Sequence, residues 1–196
     1  MTVLGITGPT GAGKTTALRT LEAMGVRILD CDAVYHRLLE TDLELRQALE
    51  DRFGPLFGPD GLDRKALGSR VWSDPEALAD LNAITHRFIR RALEQELRAA
   101  EAAGLPGAAI DGVAIIEAGI GPLCHATVSV TAPAQIRAKR IMAREGIGED
   151  YAMARIRAQK SDEWFIAHTD YHLVNDSTEE AFRQKAEALF RLLLKR

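Results

Sequence analysis

The chain contains 196 residues, 46% hydrophobic and 27% charged, so it is long enough for one well-buried core and short for two full domains. Its formal net charge of −3 excludes the uniformly basic surface that supports non-specific nucleic-acid binding, so nucleic acid is not an expected partner. Neither a long apolar run nor a signal-peptide pattern is present, and we expect a cytoplasmic protein with no membrane partner.

Strands and helices alternate at the start of the chain. Apolar runs and helical spacing predict four elements, which are a strand over 3–6, a helix over 15–24, a strand over 26–29 and a helix over 33–39. Gly25 ends the first helix, as glycine commonly does. The second strand runs directly into Asp30-Cys31-Asp32, which places two carboxylates at its carboxyl end.

The middle of the chain is predicted to be helical, and the alternation resumes after it. Residues 43–103 are mostly helical in pattern, broken by a turn cluster over 54–61 that is rich in glycine and proline. The longest helix is predicted to start at Ser73, which would form a capping box with Glu76. Three further strands are predicted over 106–111, 126–131 and 171–174. The whole pattern predicts an α/β fold, with a five-stranded parallel sheet covered by helices on both faces.

A complete G-x-x-x-x-G-K-[ST] motif lies between the first predicted strand and helix, the context that a phosphate-binding P-loop requires. Its glycines let consecutive backbone N–H groups surround phosphate oxygens, and the helix N-terminus adds positive potential. Lys14 would neutralise β/γ-phosphate charge, and the Thr15 hydroxyl would ligate Mg²⁺. The sequence therefore predicts an ATP site with Mg²⁺. It is formed by Gly8, Pro9, Thr10, Gly11, Ala12, Gly13, Lys14, Thr15 and Thr16.

A basic segment over residues 134–160 favours a kinase over other nucleotide-binding classes. No Asn-Lys-x-Asp motif for guanine occurs, which disfavours a switch GTPase. The segment holds seven basic and three acidic residues, with Arg140 and Arg144 one helical turn apart and a break at Gly146 and Gly148. A lid that closes over the phosphates has this pattern. A solvated helix face is the alternative interpretation of the same charges.

Asp30 and Asp32 are the candidate acceptor-side residues, because open α/β sheets bind ligands at the carboxyl ends of their strands. Either carboxylate could orient or deprotonate a hydroxyl. For Asp32 the alternative is a helix cap for the helix predicted from Ala33. His86 lies on a predicted helix, where a lone histidine is more often packing or surface than chemistry.

Taken together, the sequence motifs of this chain resemble those of the dephospho-coenzyme A kinases, which transfer the ATP γ-phosphate to the ribose 3′-hydroxyl of dephospho-CoA. The resemblance rests on the P-loop, Gly25 to Asp32, Asp60 to Leu67, Val71 to Pro75, Ile84 to His86, Arg140 to Gly146, Ala158-Gln159, and Asp170 with Asn175. It implies a single P-loop kinase domain over 1–196 with a helical acceptor-binding insertion and a helical lid. The parts would be a core over about 1–42, 105–133 and 170–196, the insertion over 43–104 and the lid over 134–169.

The resemblance also implies roles for individual residues. Asp32 would accept or orient the 3′-hydroxyl proton, with Asp30 as a supporting carboxylate. Arg140 and Arg144 would neutralise the charge of the transferred phosphoryl group, and Lys14 would stabilise charge in catalysis. His86 and Glu117 would shape the acceptor pocket. Asn175 would lie near the bound nucleotide.

The chain departs from the family pattern at three places on the acceptor and nucleotide sides. Arg87 follows His86 where the family usually has proline, and 113–117 replaces a Pro-Leu-Leu-Phe-Glu-like string. Ser177 stands where the family has glycine, and it predicts a capping box with Glu180 for the last helix. Another small-molecule or nucleoside-monophosphate kinase, or a nucleotide-binding regulator, are the alternative functions. The sequence makes no prediction of oligomeric state.

Overall fold

The computed structural model describes residues 1–195 and contains two compact units, residues 1–29 with those from 98 onward, and residues 30–97. Its elements in chain order are β1 (Thr2–Thr7), α1 (Lys14–Ala23), β2 (Arg27–Asp30), α2 (Cys31–Thr41), α3 (Leu43–Phe53), β3 (Phe57–Gly58), β4 (Gly61–Leu62), α4 (Arg64–Val71), α5 (Pro75–Ala102), β5 (Gly107–Asp111), a short 3₁₀ turn (Gly121–Leu123), β6 (Ala126–Thr131), α6 (Ala134–Glu145), α7 (Glu149–Arg157), α8 (Asp162–Ala167), β7 (Tyr171–Val174) and α9 (Glu179–Leu193).

The first unit is built on a five-stranded sheet in the order β2-β5-β1-β6-β7. The pairs β1–β5, β1–β6 and β6–β7 are parallel, which confirms the predicted α/β class. In register, Ile6 of β1 lies opposite Asp111 of β5, and Thr7 lies opposite Ser129 of β6. The carboxyl ends of these strands therefore meet at one edge, and the loop after β1 starts there.

The core of this unit is buried on both faces of the sheet. Residues 3–7 of β1 and all six residues of β6 are buried, the pattern of strands covered by helices on both sides. Phe182 and Phe190 of α9 are fully buried in the same core as Leu21 of α1. Each such side chain contributes about 1.5–3 kcal/mol when buried, so α1, which carries the phosphate loop at its start, is anchored along its length.

The second unit is helical apart from one small hairpin. β3 and β4 pair antiparallel within the predicted turn cluster, joined by two residues, and Gly61 has a φ of 91°. The start of α3 is capped by Asp42, whose Oδ1 accepts the Leu45 amide at 2.9 Å. Arg91 of α5 forms an ion pair with Asp42 at 3.0 Å. No helix in residues 1–195 is long and apolar enough to cross a membrane.

The start of α2 differs from the prediction in a way that bears on function. The predicted helix begins at Ala33 with Asp32 as its possible cap, but α2 begins at Cys31 and its N-cap is Asp30. Asp30 has extended backbone with ψ 116°, which brings its carboxylate over the amides of the first turn. Asp32 therefore lies inside the first turn, and the cap interpretation of Asp32 is wrong.

The two predicted capping boxes are each wrong by one residue. Asp74, not Ser73, caps α5, with Oδ1 accepting the amides of two first-turn residues at 3.0 Å each. Pro75 then occupies the first helical position, which its fixed φ favours. Thr178, not Ser177, caps α9 by accepting the Ala181 amide at 3.3 Å. In each case two good capping residues are adjacent, and the sequence alone did not distinguish them.

Candidate active site

The predicted P-loop connects β1 to α1, and its glycines are required by close packing. Gly8 has a φ of 138°, and a Cβ there would lie 2.1 Å from the Val130 carbonyl oxygen. Gly13 has a φ of 99°, and its Cβ would lie 2.1 Å from Nδ2 of Asn175. Gly13 is the N-cap of α1, and no side chain caps the helix. The first-turn amides, which have no acceptor within the helix, are thus directed to the loop side.

Lys14 and Thr15 occupy the first turn of α1 as the motif requires. The Lys14 ammonium donates to the Gly8 carbonyl oxygen at 3.0 Å, so the lysine folds back over the loop that it would serve. The Thr15 side chain is exposed at the same helix end. A cation and a hydroxyl therefore lie beside the amides that would bind phosphate.

Asn175 is buried against the back of the P-loop. Its side chain is 3% exposed, and Nδ2 donates to the Ala12 carbonyl oxygen at 2.9 Å. Its backbone amide donates to the Thr131 carbonyl oxygen at 2.8 Å, which ties the end of β7 to the end of β6. The Asn175 side chain therefore lies against the loop backbone at Ala12 and Gly13. This contact braces the loop.

Arg140 of α6 contacts the same loop. Its Nη1 donates to the carbonyl oxygens of Gly11 and Ala12 at 3.2 Å each, and its Nη2 donates to Oδ1 of Asn175 at 3.2 Å. Burial lowers the pKa of Arg140, and the nearby Glu179 carboxylate opposes that shift. A guanidinium normally stays charged throughout the physiological range, so Arg140 brings positive charge to the phosphate loop.

Arg144, one turn later, does not reach the loop. Its side chain is 60% exposed and pairs with Glu145 at 2.6 Å, and Arg155 contacts the same carboxylate. Hydrogen bonds from the two arginines hold the pKa of Glu145 below its ordinary value. Gly146, with a φ of 68°, then ends α6. The structure thus brings Arg140 to the P-loop and leaves Arg144 at the far end of α6.

Residues 134–157, within the predicted lid, form a helical hairpin with its own small core. α6 and α7 pack together through Ala138, Ile141, Ala152 and Ile156. The break between the helices covers residues 146–148, as the sequence predicted. The charged residues of the segment are therefore carried on a packed pair of helices.

A buried arginine and a glutamine of the predicted lid segment form hydrogen bonds with the P-loop, and neither contact was predicted from the sequence. Arg137 is 4% exposed, and its Nε donates to the Thr10 carbonyl oxygen at 2.9 Å. Its other nitrogens contact Oε1 of Gln159 at 2.7 Å and Oδ1 of Asp162 at 3.4 Å. Gln159 accepts the Thr10 amide at 3.1 Å and donates to the Thr10 hydroxyl at 2.9 Å. The Ala158-Gln159 string was part of the family pattern, but nothing in it indicated this contact.

Asp111 is a third residue that was not predicted from the sequence. It ends β5 beside β1, and its Oδ1 is buried. P-loop enzymes hold Mg²⁺ with the Ser or Thr of the loop and an aspartate of this kind. The sequence did carry a signal for Asp111, because this carboxylate ends an apolar strand, as the metal-binding aspartate of a P-loop enzyme is expected to do. The Thr15 hydroxyl and the Asp111 carboxylate are hard oxygen donors that fit Mg²⁺.

The acceptor-side residues have distinct local roles. Oδ1 of Asp30 accepts the amides of Asp32 at 2.8 Å and Ala33 at 3.2 Å, so this carboxylate caps α2. The Asp32 side chain is exposed. His86 is half-buried on α5, and Glu117 is exposed in the turn that follows β5. Asp32 is thus the carboxylate of the pair that does not serve as the helix cap.

A cavity of about 790 Å³ lies away from these groups. Thr2, Ala126 and Tyr171, which line it, are the first residues of β1, β6 and β7. It is therefore at the amino edge of the sheet, whereas the P-loop leaves the carboxyl edge. The cavity is not part of the phosphate site.

Comparisons with known proteins agree with this geometry. The family model described as dephospho-CoA kinase matches residues 2–180. A dephospho-CoA kinase from Anaeromyxobacter dehalogenans is 37% identical over 191 residues, which cover 96% of this chain and 90% of the relative. One from Dehalococcoides mccartyi is 38% identical over 164 residues, covering 83% and 82%. The crystal structure of TT1252 from Thermus thermophilus matches with a TM-score of 0.79 at 33% identity, covering 98% of this chain and 97% of that one.

Proposed function

This chain belongs to the dephospho-CoA kinase family, and from that premise we infer that it transfers the γ-phosphate of ATP to the ribose 3′-hydroxyl of dephospho-CoA. The products are CoA and ADP, in the last step of CoA biosynthesis. The observation that carries the inference is the glycine-lined loop before α1, contacted by Lys14 and Arg140. Such a loop is a site for a nucleoside triphosphate, and the family supplies the acceptor.

The loop residues have defined tasks in this reaction. Phosphoryl transfer depends mainly on positioning and on neutralising the charge of the transferred group. The amides at the start of α1 would hold phosphate oxygens, and Lys14 would turn from the Gly8 carbonyl oxygen to the β/γ-phosphates. Arg140 would add a second positive charge beside the loop.

Mg²⁺ is part of the proposal because two residues suit it. Thr15 and Asp111 would hold the ion, with water completing the octahedron that this metal prefers. When bound, Mg²⁺ neutralises charge on the β- and γ-phosphates. The role of the chain is then to present a hydroxyl and a carboxylate from α1 and from the end of β5.

Asp32 is proposed as the residue that engages the acceptor hydroxyl. In the transfer step, the bond between the γ-phosphorus and the bridging oxygen breaks, and a bond to the ribose 3′-oxygen forms. The hydroxyl proton passes to a base, and an exposed carboxylate that caps no helix suits this task. Residues 43–104 would bind the acceptor, with His86 shaping the pocket, and 134–169 would form the lid, with Arg144 as a second candidate, after Arg140, for neutralising phosphoryl charge. Glu117 is proposed as a further acceptor contact.

An acceptor screen tests the proposed function. Release of ADP is measured in a coupled assay with ATP, Mg²⁺ and, in separate reactions, dephospho-CoA, AMP, adenosine and shikimate. We expect turnover with dephospho-CoA to exceed turnover with the others. Lys14→Ala should lower kcat by about 10²-fold or more, which corresponds to a loss of about 3 kcal/mol or more for a principal charge stabiliser.

The proposal would be overturned by either of two results. Wild-type protein that phosphorylates shikimate or AMP in preference to dephospho-CoA would assign a different acceptor. A folded Lys14→Ala variant with turnover within about tenfold of wild type would remove the P-loop from the chemistry.

A further inference from the structure

Arg137 carries a charge that is almost completely removed from water. Its side chain is 4% exposed, and burial lowers the pKa of its guanidinium, a shift that the Asp162 carboxylate opposes. A buried ion is costly unless it is paired and its hydrogen-bonding groups are satisfied. The guanidinium contacts the Thr10 carbonyl oxygen, the Gln159 amide and the Asp162 carboxylate. Only the last of these three groups can carry a negative charge, so Asp162 supplies the countercharge for the buried arginine.

Asp162 belongs to a helix that is fastened to the central sheet. It is the first residue of α8, and Phe165 in the same helix is 1% exposed. The Thr169 hydroxyl, just after α8, lies 2.8 Å from the Phe165 carbonyl oxygen and 2.9 Å from Oγ of Ser129 in β6. The position of the Asp162 carboxylate is therefore set by contacts of α8 with β6, and Arg137 is oriented against it.

Arg137 in turn orients one peptide group of the P-loop. Its Nε donates to the Thr10 carbonyl oxygen at 2.9 Å. In a trans peptide the carbonyl and the following N–H point in opposite directions, so this hydrogen bond also sets the direction of the Gly11 N–H. A Cβ on Gly11 would lie 2.9 Å from the Arg137 carbonyl oxygen, so the loop packs directly against α6 here. Backbone N–H groups of this kind are the groups with which a P-loop binds phosphate.

We propose that Asp162 is a positioning residue for ATP, which acts through Arg137 to fix the Thr10–Gly11 peptide of the P-loop in its phosphate-binding orientation. The proposal rests on the proposed function and adds to it a carboxylate outside the loop motif that sets nucleotide affinity. The loop holds phosphate both in the bound state and during transfer. Loss of the Asp162 charge should therefore weaken ATP binding and leave the chemical step nearly unchanged.

Asp162→Asn tests the proposal, because asparagine keeps the size of the side chain and removes its charge. The Kd for ATP, measured by isothermal titration calorimetry, should rise by about three- to tenfold, the range expected when a hydrogen bond of a partly exposed charged group is lost. In the coupled assay the KM for ATP should rise by a similar factor, whereas kcat and the KM for dephospho-CoA should stay within about twofold of wild type. A residue that only supported the fold would not single out the KM for ATP.

A double-mutant cycle shows whether Asp162 acts through Arg137. Arg137→Gln removes the guanidinium and should raise the Kd for ATP at least as much as Asp162→Asn does. In the Arg137→Gln background, Asp162→Asn should change that Kd by no more than about twofold, since the contact it breaks is already absent. Asp150→Asn is the matched control, because it makes the same charge change at an exposed first-turn position of α7, and its Kd for ATP should stay within about twofold of wild type.

The outcomes separate this proposal from the proposed function. Wild-type protein that binds ATP and turns over dephospho-CoA, with an unchanged ATP Kd in Asp162→Asn, would overturn the positioning role and leave the kinase assignment intact. Additive effects of the two substitutions would overturn the role of Arg137 as the link. Wild-type protein that binds no ATP would overturn both proposals. Thermal melting checks that each variant is folded at the assay temperature, and if Asp162→Asn is not, Arg137→Gln decides: an unchanged ATP Kd overturns the positioning role.

Discussion

The structural role of Asp30 as a helix cap and the proposed chemical role of Asp32 can be tested by replacing each residue with Asn and with Ala. Asp30 accepts two first-turn amides of α2, at 2.8 and 3.2 Å, so removing its side chain removes the cap of an 11-residue helix. Loss of an N-cap costs about 0.5–2 kcal/mol, and asparagine caps about as well as aspartate. Asp30→Ala should therefore be destabilised by about 1 kcal/mol, which lowers the Tm by about 2–4 °C in a chain of this size, and Asp30→Asn should not.

Asp32 should show the opposite pattern. Asp32→Asn retains the shape of the side chain and touches no cap, so its Tm should stay near that of wild type. A base or a hydroxyl-orienting carboxylate contributes about 10²–10⁴ in rate, and kcat with dephospho-CoA should fall by that factor. The measurements are urea or thermal unfolding for all four variants and the coupled assay of ADP release with saturating ATP.

Two results would refute this reasoning. Asp32→Asn with kcat within about tenfold of wild type would remove Asp32 from the chemistry, and Asp30 would be the next candidate. Asp32→Ala with the same loss of stability as Asp30→Ala would mean that Asp32 contributes to the helix start after all. Asp30→Asn controls for charge, because it keeps the cap and removes one carboxylate.

The other predictions concern the predicted lid, the P-loop and the half-buried thiol of Cys124. Arg140→Ala should lower kcat by about 10²–10³ with a smaller change in the KM for ATP, and an unchanged kcat would mean that Arg140 braces the loop without acting on the transferred phosphoryl group. Arg144→Ala breaks only exposed contacts and should shift the free energy of unfolding, measured with urea, by less than about 0.5 kcal/mol; a larger loss would contradict the geometry. Gly13→Ala places a Cβ 2.1 Å from Nδ2 of Asn175 at a φ of 99°, so it should be destabilised by about 1–3 kcal/mol in the same urea titration, and wild-type stability would contradict the close packing. Burial raises the pKa of Cys124 from 9.0 to about 12, so the thiolate fraction at pH 8 falls about 10³-fold, and iodoacetamide should label Cys124 about 10³ times more slowly in native than in urea-unfolded protein; equal rates would contradict the burial.

The strands and their order along the chain could be predicted because their signals are local. The last two predicted strands, 126–131 and 171–174, match β6 and β7 to the residue. The first alternates small apolar residues with Thr and Ser, the second contains Tyr, Leu and Val, and turns bound both, which is the local pattern of a strand. Helix starts were harder: Ser73 and Ser177 are good caps in isolation, and the neighbouring residue was used instead. Which of two adjacent residues becomes the N-cap depends on the backbone angles of the preceding segment, and the sequence does not show these angles.

The site was predictable where a motif fixes spacing and unpredictable where contacts are long-range. The P-loop could be located in full from its motif. Arg140 was predicted to act on phosphoryl charge, and its Nη1 lies 3.2 Å from the Gly11 carbonyl oxygen of that loop, while the predicted role stays a prediction. Arg144 shares the same predicted face, but the packing of α6 on the loop stops one turn earlier. The Arg137 contacts with Thr10 and Asp162 join residues far apart in sequence, and nothing in a charge pattern separates a buried arginine from a solvated one.

The hydrogen bonds of Thr10 with the side chains of Gln159 and Arg137 have an evolutionary consequence. The P-loop motif does not specify the residue at position 10. The amide, hydroxyl and carbonyl oxygen of Thr10 are nevertheless all hydrogen-bonded to Gln159 or Arg137, in the predicted lid segment. A substitution at 10 or 159 alone leaves a polar partner without its bond, and a matched pair of substitutions restores it. We therefore expect these two positions to covary among related chains, because the hydrogen bond from Gln159 Nε2 to Thr10 Oγ1 is the contact that depends on both side chains.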